Sequence, residues 1–87
     1  MNEMKKFNDD LKRLYKTAEQ FKNLDDYVYG ELTETFKKYA ALFYEFDQEL
    51  NTTGNIKETR EKMSKEVSDF LRAVKNHYGE RLNLELE

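Results

Sequence analysis

The sequence predicts an all-α fold, an antiparallel three-helix bundle, and three observations carry that prediction. Apolar residues recur every three or four positions along most of the 87-residue chain, the spacing that gathers them on one helix face. Charged residues, chiefly Lys and Glu, make up 38% of the chain, proline is absent and there are only three glycines. That mixture favours helices, whereas an all-β chain would need many more turn residues. One polar run, Asn51-Thr52-Thr53-Gly54-Asn55, has strong turn chemistry.

The first helix is expected near 3–22. Met4, Phe7, Leu11, Leu14, Tyr15, Ala18 and Phe21 form its apolar face, and Lys5, Lys6, Lys12, Arg13, Lys16 and Glu19 take the opposite side. The second helix is expected near 24–50. Val28, Leu32, Phe36, Tyr39, Phe43, Phe46 and Leu50 fall in a stripe about 80° wide, which Tyr29, Ala40 and Leu42 widen. This is the broadest apolar surface in the chain, so the segment is placed between the other two.

The junction at Lys22-Asn23-Leu24-Asp25-Asp26 admits two readings. Asn23 can cap a helix, and Asp25 and Asp26 suit the positive end of a helix dipole, which argues for a turn. No Gly or Pro marks that turn, and the apolar phase runs on through Phe21, Leu24, Val28 and Leu32. The alternative fold is therefore one helix over 3–50, roughly 70 Å long, with a return helix 56–82 forming a dimeric coiled-coil hairpin. A compact monomer would instead have a radius of gyration of about 12 Å.

The third helix is expected to begin at Ile56, with Asn55 and Glu58 as a capping box. Ile56, Met63, Val67, Phe70, Val74, Tyr78 and Leu82, with Leu71 alongside, make a narrow seam. Glu58 with Lys62 and Glu61 with Lys65 are spaced to pair along the helix. Gly79 is placed to end or loosen it. Beyond Gly79 the run Leu82-Asn83-Leu84-Glu85-Leu86-Glu87 alternates apolar and polar. It reads as a frayed helix end or as a docking strand in which Leu84 and Leu86 engage another protein's sheet edge.

Residues 1–87 are read as a single helical domain. The absence of cysteine excludes disulfides, thiol catalysis and Cys-based metal sites. No apolar run approaches a membrane span and the charged N-terminus lacks a signal-peptide core, so the cytoplasm is the expected location. Lys outnumbers Arg and Asn, Phe and Tyr are plentiful, a usage consistent with a low-GC bacterial or phage genome. The net charge of −3 is small and the signs are interspersed, without the basic stripe of a nucleic-acid binder.

Chemistry is sparse. His77 is the single histidine, with Glu80 and Arg81 spaced to pair with it on the surface. Neighbouring carboxylates such as Glu45 with Glu49 lack the Glu-x-x-His pattern of di-iron bundles. Ser64 and Ser68 share a helix face with no base placed beside them by sequence, and no Gly-rich phosphate loop is present. The chain is therefore expected to be non-enzymatic, with no cofactor, metal or small-molecule substrate. Twelve Phe and Tyr form the remaining signal. Tyr27 and Tyr44 lie more than about 100° from the centre of the second helix's apolar face, on either side of it. They either contact the flanking helices or face a partner.

The run FNDDLKRLYKTAEQFKNLDDYVYGELTETFKKYAALFYEF resembles, in its heptads and aromatics, the opening helices of membrane-curving BAR-type proteins. The resemblance implies a helical scaffold at a membrane surface and carries over no individual residue. Independently, Lys5, Lys6, Lys12, Arg13 and Lys16 accompany an apolar stripe, as in interfacial helices. The first functional expectation is a protein-interaction module whose partner is another protein or a second copy, as in an adaptor, inhibitor or assembly factor. A membrane-surface scaffold ranks second, and a nucleic-acid-associated regulator third.

Overall fold

The computed structural model describes residues 3–48 and 53–79. Three helices follow in order: α1 Glu3–Glu19, α2 Asp26–Gln48 and α3 Thr53–Tyr78. All three pairs of helices pack together, and no strand occurs among the described residues. The fold is the predicted three-helix bundle, and the continuous 3–50 helix is ruled out by the break between Glu19 and Asp26.

That break is made without glycine. The amide groups of Gln20, Phe21 and Lys22 donate to the carbonyls of Thr17, Ala18 and Glu19, which tightens the end of α1 into i→i−3 turns. The Phe21 carbonyl then accepts from both Leu24 and Asp25, at 3.0 Å each. Phe21 itself is fully buried and pins the corner to the core. Asp25, not Asn23, is the cap of α2: its carboxylate accepts from the Val28 amide at 3.1 Å, and its carbonyl accepts the first helical bond, from Tyr29. Leu24, expected to continue the apolar stripe, faces solvent because the turn swings it out of phase.

The other boundaries also move. The backbone is helical from Thr53, so Gly54 and Asn55 lie inside the first turn of α3 and Asn55 is not its cap. At the other end α3 runs to Tyr78, and Gly79 takes a left-handed φ of 63°. A glycine in that conformation is a common helix C-terminal device because it has no Cβ to clash. Leu50, Leu82 and the ends of helices two and three predicted at 50 and 82 lie outside the described residues.

The core is built from the predicted stripes, except that Tyr15 of the α1 face is exposed. Phe7, Leu11, Leu14, Ala18 and Phe21 meet Val28, Leu32 and Tyr39 from α2 and Ile56, Met63, Leu71 and Val74 from α3. Phe36, Phe43, Phe46, Val67 and Phe70 pack on its margin. α1 and α2 are antiparallel, since Phe7 meets Phe43 edge-on at 5.5 Å while Tyr15 meets Phe36 at 5.5 Å. α1 and α3 consequently run parallel. The expectation that α2 is central is corrected. α1 packs extensively on both neighbours, and the α2–α3 contact is the smallest of the three. The wide face of α2 is only half-buried towards its end, where Phe43 and Phe46 remain partly exposed. The bundle measures 45 × 18 × 16 Å, and its radius of gyration of 13.9 Å exceeds the compact-sphere expectation because the helices are long rods lying side by side.

Candidate interaction groove

A three-helix bundle has three outer grooves, and here side chains bridge each of them at one point or more. Between α1 and α2, the half-exposed Tyr15 ring lies against Phe36. Between α2 and α3, the Tyr39 hydroxyl donates to Glu66 Oε2 at 2.6 Å, and Lys38 reaches Glu66 Oε1 at 3.2 Å while lying over the Tyr39 ring. The hydrogen bond from Tyr39 holds the Glu66 carboxyl below its usual range, with Lys38 adding to it. Burial, then the adjacent Glu66, push the Tyr39 hydroxyl well above 10.

The α1–α3 groove is different. Its N-terminal end is clamped by Arg60, which pairs with Glu3 and donates from Nε to Asp10 Oδ2 at 3.0 Å. Past that clamp a channel of about 520 Å³ runs between residues 10–17 of α1 and 63–75 of α3. Leu14, Met63, Val67 and Leu71 contribute its apolar lining. Thr17, Ser64 and Ser68 are small hydroxyl residues along it, and the Thr17 hydroxyl turns back to donate to the Arg13 carbonyl at 2.9 Å. Thr17 thus meets the polar demand of its burial within its own helix.

Cations stand on both banks: Arg13 on α1, Arg72 and Lys75 on α3. The one acid lining the channel, Asp10, is already engaged, with Oδ1 3.8 Å from Arg13 and Oδ2 held by Arg60. Arg72 touches Asp69 at 3.4 Å, but Asp69 also accepts from Lys65 at 3.0 Å, the bond that chiefly holds its carboxyl below the usual range. Lys75 makes no ion pair among the described residues. The anticipated pairing of Lys65 with Glu61 is thus replaced by pairing one turn further on, with Asp69. The channel rim is net positive although the chain is net negative.

The sequence-predicted positions do not converge on this channel. Tyr27 and Tyr44 are 71% and 66% exposed, so neither is buried against a flanking helix. They lie about 25 Å apart along α2, on opposite flanks, and do not form one patch. Leu84 and Leu86, with Glu80 and Arg81, lie outside the described residues. His77 is exposed, and its ring lies 5.0 Å from that of Tyr78 at nearly a right angle. Among the described residues no cluster of His, Asp or Glu is placed to hold a metal ion, and no helix is long and apolar enough to cross a membrane. Ser64 and Ser68, considered in the sequence only as nucleophiles, instead form the open floor of the channel. The signal that could have found it is the narrowness of the α3 seam, flanked by small residues one turn apart.

Compared with known proteins, the chain matches no family model, no curated protein and no solved structure.

Proposed function

We propose that this chain is a non-catalytic protein-interaction module that works through the α1–α3 groove. One observation carries the reading: past the Arg60 clamp the α1–α3 groove holds a channel of about 520 Å³, apolar in part of its lining and cationic at its rim. Its volume is in the range of ligand pockets. Its form, a trough along two parallel helices, suits an elongated guest, as in helix-in-groove recognition.

The test uses Ser68→Trp, which fills the trough from an exposed position and leaves the core untouched. Proteins from source cells retained by the wild type and not by S68W are purified and titrated against both forms. Binding to the wild type that weakens at least about tenfold in S68W supports the reading. Self-association lost in S68W supports it with a second copy as partner. Identical behaviour of the two forms overturns it. So does co-sedimentation with anionic vesicles that weakens with salt and ignores S68W, which moves the membrane-surface scaffold ahead.

A further inference from the structure

Resting on the groove reading above, we propose that its occupant is an acidic amphipathic helix of another protein, seated as a fourth helix between α1 and α3. The channel length sets the guest's size. From Ser64 to Lys75 α3 rises about 17 Å, which matches three turns of a docked helix. The floor sets its approach. Ser64 and Ser68 are exposed and one turn apart, and Thr17 faces them from α1 with its hydroxyl already committed to Arg13. Small side chains on both banks let a helix settle at the close end of the usual 8–10 Å interaxial distance, with its apolar edge on Val67 and Leu71.

The rim sets its charge. Arg13 stands on one bank and Arg72 and Lys75 on the other, and Leu14, Val67 and Leu71 line the same channel. A phosphate or a lipid headgroup is best met by converging donors, whereas a rod with Glu or Asp along both flanks meets cations on both sides at once. Asp10 opposes such a guest little, because Arg60 holds its Oδ2 at 3.0 Å. A duplex would need a longer phosphate track, and Asp69 interrupts one beside Arg72.

Two designed helical peptides of about 15 residues test this, sharing one apolar seam and carrying Glu or Lys along both flanks. Each is titrated into the full ¹⁵N-labelled chain. The Glu peptide is expected to shift the amides of Arg13, Thr17, Ser64, Ser68, Arg72 and Lys75. Its affinity should fall about tenfold in the exposed-residue double variant R72E/K75E and should weaken with salt. The same variant should gain affinity for the Lys peptide. The proposal is overturned if the Glu peptide leaves those amides unmoved, if both peptides bind alike, or if R72E/K75E binds the Glu peptide as the wild type does. It is equally overturned if anionic vesicles or duplex DNA, and not the peptide, move those amides. A purified protein still distinguishing wild type from S68W would then show that only the guest's chemistry is wrong; failure of both experiments removes the groove reading as well.

Discussion

Two glycines make opposite demands at the residue scale. A Cβ placed on Gly30 meets no atom within 4 Å, and its backbone is ordinary helix. Gly30→Ala should therefore stabilise the protein by about 0.5–1 kcal/mol, through lower unfolded-state entropy and better helix propensity. Gly79 is equally open, but its φ of 63° strains any residue with a Cβ, so Gly79→Ala should destabilise by about 1 kcal/mol. Urea midpoints moving in opposite directions at unchanged m-value check both; shifts of the same sign defeat the argument. Tyr39 permits a sharper substitution. Tyr39→Phe keeps the buried ring and deletes the 2.6 Å bond to Glu66. Since Glu66 is more than one-third exposed, water replaces part of that bond and the loss should be about 1 kcal/mol. The Glu66 titration, followed by carboxyl NMR, should move up towards the ordinary glutamate range. A Glu66 carboxyl that titrates identically in both proteins would show that Tyr39 does not lower it.

The connection between α1 and α2 rests, at the element scale, on one carboxylate and one carbonyl. Asp25→Ala removes the cap on the Val28 amide and should cost about 1 kcal/mol, while Asp25→Asn should retain most of the stability. Equal losses from both would indicate that the charge, through the helix dipole, matters and the capping bond does not. The same junction marks the limit of what the chain discloses. Each helix was legible because an amphipathic period survives in any surroundings, and Phe7, Leu32 and Met63 are buried as their spacing requires. Asn23, Asp25 and Asp26 predict the break, but the device that makes it was not legible, because it is the Phe21 carbonyl accepting twice rather than Gly or Pro. The early start of α3 was hidden for the converse reason. Gly54 reads as a loop residue but is tolerated in a first helical turn. The groove was least legible of all. Its banks, Arg13 and Arg72, are far apart in sequence, and only the parallel setting of α1 and α3 brings them to one channel.

Across the whole molecule, the smallest helix–helix contact carries a polar tie whose two partners are both shifted in pKa. α2 and α3 touch least, and their polar tie is the Tyr39 hydroxyl on Glu66 with Lys38 alongside. The shifts run in opposite directions, Glu66 chiefly by the bond from Tyr39 and Tyr39 first by its burial and then by Glu66, so the pair defines a pH window. Glu66 is depressed in the folded state, so its contribution is complete above the ordinary glutamate value of 4.5 and disappears as pH falls through the lower folded value. Tyr39 is raised, so its contribution is complete below the ordinary tyrosine value of 10.0 and is lost as pH climbs beyond it, because the unfolded chain releases that proton first. Stability against urea should form a plateau between those limits and fall on both sides. In Tyr39→Phe the plateau should sit lower and the alkaline fall should be shallower, since the raised hydroxyl is gone. The acid limb should flatten too, as Glu66 loses its chief source of depression. An alkaline limb with the same slope in both proteins would mean that the tie does not govern the opening of α3 from α2, and that α1, which grips both helices, holds the bundle together unaided.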